Sequence, residues 1–165
     1  MGVSYLLRCP SCQYEAYVKL GVGYAYPMVF RVTQQAAKDG QLGVRVKKFL
    51  AEHPNGVVNP ELVLAQCSKC GEYKYVSDFT MYIPKGNADN GDEKSRCSVA
   101  MKDNATNIVR PFEFGQNYSV FKEYSHRCGK CHGRVYILRD ANMEELECPH
   151  CRGIFLKASA KTFWD

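Results

Sequence analysis

The chain has 165 residues, of which 45% are hydrophobic and 24% are charged, a composition typical of a globular protein with one ordinary domain or two small ones. It contains no apolar run of about 18 residues, which excludes a predicted transmembrane helix, and its N-terminus shows neither a basic leader nor a small-residue cleavage site, so no secretory signal is predicted. The formal net charge of +5 at pH 7 by itself favours an anionic partner.

A pair of cysteines, Cys9 and Cys12, precedes the first predicted strand. This strand covers residues 14–20, because the run is rich in β-branched and aromatic side chains. The next residues, 21–27, combine two glycines with a proline and predict a turn followed by a strand edge.

Two helices are predicted between this turn and the second cysteine pair. The first is short, with Thr33 as its N-cap and Gly40 as the residue that breaks it. The second runs from about Leu42 to His53, because apolar residues recur there at helical spacing before a Pro-Asn-Gly stop. Residues 33–53 are therefore interpreted as a helical insert.

The rest of the chain alternates predicted strands with three further cysteine pairs: Cys67/Cys70, Cys128/Cys131 and Cys148/Cys151. Runs rich in β-branched and aromatic residues predict strands at 73–83, 118–124, 134–139 and 154–157. Gly, Asn and Asp crowd residues 85–92, which predicts a loop. Three pairs are followed by glycines at positions where a turn around a metal favours a positive φ: Gly71, Gly133 and Gly153.

Eight of the nine cysteines fall into these four Cys-x-x-Cys pairs. Two thiolates separated by two residues can place both sulfurs on one metal ion, so two pairs complete a tetrahedron and four pairs predict two sites holding two Zn²⁺. Disulfides are disfavoured because the pairs are regular, one cysteine is left over and no export signal is visible, which also predicts a cytoplasmic location. Eight thiolates and two Zn²⁺ reduce the formal charge from +5 to +1, so global charge no longer indicates an anionic partner.

The cysteine pairs resemble the zinc knuckles of zinc-ribbon and rubredoxin-like proteins. The resemblance is carried by CGKCHG at residues 128–133 and CPHCRG at 148–153, and it extends to CPSC at 9–12 and CSKCG at 67–71. It implies a metal site and a fold, and no activity. The whole layout, with residues 21–27 and the helical insert, also resembles a group of small uncharacterised bacterial double-zinc-ribbon proteins, which implies no activity either.

Four pairs can combine into two sites in three ways. Only 16 residues separate Cys131 from Cys148, a common span within one zinc ribbon, so the last two pairs are predicted to share a metal. Cys9/Cys12 would then join Cys67/Cys70 across 54 residues, at an extra loop-closure cost of about 1 kcal/mol. An interleaved arrangement, in which the two ribbons share ligands, is the alternative.

We therefore predict an α+β fold made of two small β-rich zinc ribbons. The N-terminal ribbon covers residues 1–83 and includes the helical insert, a polar connector covers 84–121, and the C-terminal ribbon covers 122–165. Small ribbons bury little apolar area, so metal ligation is expected to supply most of their stability.

The site chemistry favours structural over catalytic zinc, because four sulfurs leave no open coordination position for water or substrate. With no catalytic triad, phosphate loop or carboxylate pair, the sequence predicts no enzyme and indicates no small-molecule substrate. The alternative is a rubredoxin-like iron site for electron transfer, because two such knuckles also hold iron.

His126, His132 and His150 are interpreted as exposed knuckle residues or donors to the ligands, and Cys97 as a free thiol.

The predicted function is a binding module for protein or nucleic acid. Arg45, Lys47 and Lys48 on the second predicted helix form the candidate nucleic-acid-binding cluster, and a solvated helix face explains the same residues. The chain also has eleven tyrosines, whose rings can stack on single-stranded nucleic acid. Strand tyrosines more often pack a small core, and we favour that interpretation.

Overall fold

A computed structural model describes residues 2–85, 108–139, 141–152 and 156–164. Within these residues there are two α-helices and ten β-strands in three small sheets, which confirms the predicted α+β class. The helices are α1 (Tyr26–Asp39) and α2 (Val44–Glu52). The strands are β1 (Gly2–Arg8), β2 (Glu15–Leu20), β3 (Val57–Val58), β4 (Leu62–Cys67), β5 (Tyr73–Ser77), β6 (Met81–Pro84), β7 (Tyr118–Lys122), β8 (His126–Arg127), β9 (Arg134–Ile137) and β10 (Lys157–Trp164). Among the described residues, neither helix has the length and apolar content that crossing a membrane requires.

Backbone contacts divide the chain into two compact units, each assembled from separate stretches. Unit 1 consists of Met1–Tyr26, Pro60–Phe79 and Tyr124–Asp165, and unit 2 of Pro27–Asn59 and Thr80–Glu123. The predicted division into a ribbon at 1–83, a connector at 84–121 and a ribbon at 122–165 runs in sequence order. The contacts group β1 and β10 in one unit, and the division into ribbons and connector stays a prediction.

Unit 1 contains two antiparallel sheets, with the strand orders β10-β1-β2 and β5-β4-β9-β8. In the first sheet, β1 pairs with β2 over its length and with β10 on its other side, where Arg8 lies opposite Lys157. In the second sheet, β4 pairs with β5 and with β9, where Cys67 lies opposite Val135. Strands that are far apart in sequence are therefore neighbours in both sheets.

The larger core of unit 1 contains nine buried residues from both sheets and from the segment before β10. Leu7 and Val18 are fully buried, and Leu64 and Leu156 are each 2% exposed. Burying one such aliphatic side chain stabilises a fold by about 1.5–3 kcal/mol. A second, smaller core contains only Ala65, Cys67, Cys128 and Val135 as buried members.

Unit 2 holds α1 from Pro27 onward, α2, and the antiparallel sheet β3-β6-β7. Phe30 and Val46 are the buried anchors of the two helices, at 0% and 1% exposed. The buried side-chain amide of Gln34 donates to the carbonyl of Val58 at 2.6 Å and accepts from the N–H of Val58 at 2.9 Å. A side chain of α1 therefore satisfies both backbone polar groups of this residue of β3.

The helices differ from their predicted bounds. The prediction of a strand edge at the end of residues 21–27 is wrong, because α1 begins at Tyr26. Pro27 fits there, since proline is tolerated in the first turn of a helix. Thr33 is a buried residue inside this helix and does not cap it. Gly40 does end the helix region, with φ 86°, and His53 is the C-cap of α2, its N–H donating to the carbonyl of Phe49.

Several predicted strands are present with altered limits. β2, β7 and β9 lie inside the runs predicted for them. The run 73–83 is split into β5 and β6, because Phe79 takes a left-handed φ of 54° and the neighbouring Asp78 is fully buried against Arg139. Strands β1, β3, β4 and β8 had no prediction, and most of the loop predicted at 85–92 lies outside the described residues.

Candidate metal centres

The structure brings the eight paired cysteines together in two groups of four. Cluster A consists of Cys9, Cys12, Cys148 and Cys151, and cluster B of Cys67, Cys70, Cys128 and Cys131. Within each cluster the four sulfurs all lie within 4.8 Å of one another. The predicted pairing of the first pair with the second and of the third with the fourth is therefore wrong. Each cluster takes one pair from each predicted ribbon, so the two ribbons share ligands, as in the alternative prediction. The first pair joins the fourth, and the second joins the third inside that outer loop.

Strand pairing explains why the nested arrangement forms and the other two pairings do not. The β1–β10 pairing brings the knuckle that follows Arg8 to the same end as the knuckle that precedes Lys157. The β4–β9 pairing places Cys67 opposite Val135, next to the knuckle of Cys128 and Cys131. Cys12 and Cys148 are 136 positions apart, but closing that loop costs only about 2 kcal/mol more than closing a 16-residue one. Sheet hydrogen bonds and core burial outweigh so small a difference.

The knuckles share one backbone turn. The N–H of the first cysteine donates to the carbonyl five residues later, from Cys9 to Tyr14 at 2.8 Å, from Cys67 to Glu72 at 3.1 Å and from Cys128 to Gly133 at 2.9 Å. The residue directly after each second cysteine has a left-handed φ between 56° and 74°: Gln13, Gly71, His132 and Arg152. Of the glycines predicted to have a positive φ, Gly71 does, whereas Gly153 lies outside the described residues.

Gly133 is required for a different reason from the one predicted. Its φ is not in the left-handed region. A Cβ added there would lie 2.7 Å from Lys69 Cβ, 3.0 Å from Cys67 Sγ and 3.3 Å from Cys131 Sγ. The absence of a side chain therefore lets the two knuckles of cluster B approach each other.

The sulfur geometry fits a tetrahedral metal ion. A divalent zinc with Zn–S bonds of about 2.3 Å requires sulfurs about 3.8 Å apart. The distance from Cys9 Sγ to Cys151 Sγ is 3.6 Å, and that from Cys12 Sγ to Cys148 Sγ is 3.4 Å. In cluster B, Cys67–Cys131 and Cys70–Cys128 are 3.4 Å and 3.8 Å apart. These distances are far longer than a disulfide bond of about 2.05 Å, and all eight cysteines are free thiols.

Backbone N–H groups prepare the first cysteine of a knuckle for ionisation. The N–H of Ser11, followed by that of Cys12, lowers the pKa of Cys9 to about 6. The N–H groups of Cys131 and Lys130 likewise lower the pKa of Cys128 to about 6. Hydrogen bonds to the charged form of a thiol favour that form. Each cluster therefore offers a thiolate near neutral pH.

The second cysteine of a knuckle has the opposite shift. The N–H of Tyr14 lowers the pKa of Cys12, but burial and the thiols of Cys148, Cys9 and Cys151 outweigh it and raise the pKa to about 12. The same balance raises the pKa of Cys70 to about 11, with the N–H of Glu72 as the opposing contribution. Four close thiols cannot all ionise without a cation, so a bound divalent ion has to displace protons.

The surroundings of the two clusters differ. Lys74 Nζ lies 3.3 Å from Cys128 Sγ, and with a divalent ion bound this ammonium would offset part of the net −2 charge of the site. In cluster A, Cys151 is exposed, whereas all four cysteines of cluster B are buried or half-buried. One edge of cluster A therefore faces solvent.

No histidine among the described residues belongs to either group of four. His150 packs against Tyr14, with ring centres 5.2 Å apart. A ring nitrogen of His126 lies 3.2 Å from the carbonyl oxygen of Asp78. His132 occupies the left-handed position after Cys131. Cys97 lies outside the described residues.

Arg45, Lys47 and Lys48 all lie on α2 with exposed side chains. The inward positions of that helix are Val46 and Phe49, and Arg45 and Lys47 lie on opposite flanks of Val46. Lys48 Nζ lies 3.6 Å from Glu52. The role of the three residues in nucleic-acid binding stays a prediction.

The fold and the site define a β-rich α+β protein with two four-cysteine groups, each of which can hold a metal ion. No protein-family model, no curated protein and no solved structure matches the chain.

Proposed function

We propose that the chain is a non-enzymatic zinc protein, in which clusters A and B each hold one structural Zn²⁺ and so support a module that binds protein or nucleic acid. The observation that carries the proposal is the closed shape of each group, with four sulfurs within 4.8 Å of one another. Four thiolates fill the tetrahedron of zinc, so each ion acts as a crosslink.

The small cores support a structural role for the metals. Cluster B is surrounded by a core with only four buried members, two of which are its own cysteines. A ribbon with so little buried apolar area depends on ligation, and structural zinc contributes about 10–16 kcal/mol in zinc-finger peptides. The proposed role of the metals is therefore to hold strands that distant parts of the chain supply.

Metal analysis tests this proposal. The purified native chain is expected to contain two zinc ions per molecule by elemental analysis. A chain that contains neither zinc nor iron, or that keeps its fold after complete chelation, contradicts the proposal.

Double variants test the nested pairing. Cys9→Ser with Cys148→Ser removes ligands from one site only in the nested arrangement, so one zinc should remain. The matched variant Cys9→Ser with Cys128→Ser damages both sites and should retain none. The sequential pairing predicts that each of these variants loses both ions. A crossed pairing, of the first pair with the third and of the second with the fourth, predicts that only the second variant retains one.

A rubredoxin-like iron protein for electron transfer is the second candidate. The exposed edge of cluster A at Cys151 favours it, because an electron-transfer site needs a short path to a partner. Four thiolates bind ferric iron with the same geometry as zinc. A red protein with an iron-to-chain ratio near two would replace the zinc proposal, whereas a colourless one with zinc excludes iron.

A further inference from the structure

Two arginines and a tyrosine form an exposed surface on the sheet of cluster B. Strand β8 pairs with β9 so that Arg127 lies opposite Arg134. Side chains alternate along a strand, so Tyr136, two positions after Arg134, points to the same face. The contact agrees with this placement, because Arg134 Cζ lies 5.0 Å from the centre of the Tyr136 ring.

No carboxylate of the described residues pairs with the two arginines of this surface. Directly opposed like charges destabilise a pair of strands. Neither Arg127 nor Arg134 forms an ion pair with any residue in the described part of the chain, and the carboxylate of Glu72 is already 3.0 Å from Lys130. Both arginines are exposed. The arrangement therefore favours an anionic ligand.

The tyrosine narrows the class of ligand. Tyr136 is 48% exposed, although its ring is large and apolar, and it does not belong to either core of unit 1. An exposed aromatic ring can stack on a nucleic-acid base, and the cations beside it can contact the neighbouring phosphates. Bases offer their faces in this way only when they are unpaired, so a duplex would use the arginines and not the ring.

We propose that Arg127, Arg134 and Tyr136 form a binding site for single-stranded nucleic acid, in which the ring stacks a base and the guanidinium groups contact phosphates. The site depends on the proposed function in one respect. Strands β8 and β9 flank the knuckle of Cys128 and Cys131, so the metal of cluster B has to hold them in register.

Binding of a fluorescein-labelled oligo(dT) of about 15 nucleotides, followed by fluorescence anisotropy at about 50 mM salt, tests the proposal. Tyr136→Ala should weaken binding roughly tenfold to a hundredfold, because one base loses its stacking partner. Arg127→Gln with Arg134→Gln should reduce the slope of log affinity against log salt by about 1.4, the contribution of two phosphates on a single strand.

Two controls separate this site from other surfaces. Tyr75 on β5 is 40% exposed, and no arginine of the described residues stacks on it, so Tyr75→Ala should leave affinity unchanged. The triple variant Arg45→Gln, Lys47→Gln and Lys48→Gln tests the cluster on α2. If that variant abolishes binding and the variants of Arg127, Arg134 and Tyr136 do not, the proposal is overturned.

Metal content measured on every sample separates the two proposals. A native chain with two metals that fails to bind the oligonucleotide overturns this inference alone, and so does equal affinity for the matching duplex. A native chain without metal overturns the proposed function instead. Where Tyr136→Ala loses metal, Tyr136→Ile keeps a strand-forming side chain without the ring, and full affinity in that variant contradicts the stacking role.

Discussion

Clusters A and B are built from the same knuckle turn, yet different forces hold the protein around them. Cluster A borders the larger core, with nine buried residues from both sheets of unit 1 and the segments beside them, two of which are its own cysteines. Cluster B borders the smaller core, which has four buried residues. Lys74 lies against one of its sulfurs, and Gly133 lies where its two knuckles meet. With a metal bound at each site, we expect the region of cluster A to be supported mainly by apolar burial, and that of cluster B mainly by ligation and local electrostatics.

Loss of the metal of cluster B should have the largest effect. In the variant Cys128→Ser with Cys131→Ser, the lost ligation of about 10–16 kcal/mol exceeds what a core of four residues can supply. We expect β8 and β9 to lose protection in hydrogen exchange followed by mass spectrometry. The matched variant Cys9→Ser with Cys12→Ser should lose one metal and keep residual protection in β1, because Leu7 and its neighbours stay buried. Stronger protection of β9 than of β1 in the respective variants contradicts the comparison.

Gly133→Ala should have the second-largest effect. The added methyl group would lie 2.7 Å from Lys69 Cβ and 3.0 Å from Cys67 Sγ, so the knuckles of cluster B have to separate. Overpacking of this kind costs about 1–3 kcal/mol. Zinc competition with a chromophoric chelator should show weaker binding at one of the two sites.

The control for this variant is Gly129→Ala in the same knuckle, where an added Cβ meets nothing within 4 Å. It should bind zinc like the native chain. Equal affinities for Gly133→Ala and Gly129→Ala contradict the close approach.

Lys74→Gln should weaken metal binding at cluster B by about tenfold, within the range for groups that support metal ligands. The pKa of Cys128 is lowered to about 6 by the N–H groups of Cys131 and Lys130 and, to a smaller extent, by Lys74. The thiolate is present above that pKa and is lost as the pH falls through it. Removing the ammonium raises the pKa of Cys128, so acid should release this metal at a higher pH than in the native chain.

A pH titration of metal content measures the effect. Lys157→Gln removes an exposed lysine at the start of β10 and serves as the control. An unchanged release curve for Lys74→Gln shows that the ammonium does not stabilise the thiolate.

The smallest expected effect is that of Tyr14→Phe. The hydroxyl of Tyr14, a residue of the larger core, accepts a hydrogen bond from the N–H of Tyr73 at 3.3 Å and so links the two sheets of unit 1. Its loss leaves a buried N–H without this partner, at a cost of about 1 kcal/mol. Chemical denaturation at saturating zinc measures the difference. A variant as stable as the native chain contradicts this link.

The sequence predicts the elements near the cysteines better than their assembly. The Cys-x-x-Cys spacing alone selected the eight cysteines that come together, and β-branched and aromatic runs located β2, β7 and β9. The pairing of the knuckles was beyond reach, because loop length separates the alternatives by only 1–2 kcal/mol, roughly. The pairing of β1 with β10 and of β4 with β9 decides which knuckles meet. Of these four strands, only β9 was predicted correctly.

Other misses have local causes. The Tyr26-Pro27 step favours an extended chain as well as the first turn of a helix, and only burial of Tyr26 and Phe30 selects the helix. The left-handed residues after the second cysteines are mostly not glycine, so composition could not locate them. Arg127 and Arg134 become neighbours only through the register of β8 and β9, which one sequence does not specify.

The nesting of one cysteine group inside the other sets an order for assembly on the ribosome. Cys131 emerges before Cys148, so the inner group is complete while the outer one still lacks half of its thiols. The interval between Cys12 and Cys148, 136 positions, corresponds to about 7–27 s of synthesis at 5–20 residues per second. During that time β1 has β2 on one side and an open edge on the other, so the hairpin of β1 and β2 is exposed to pairing with wrong partners until β10 is synthesised.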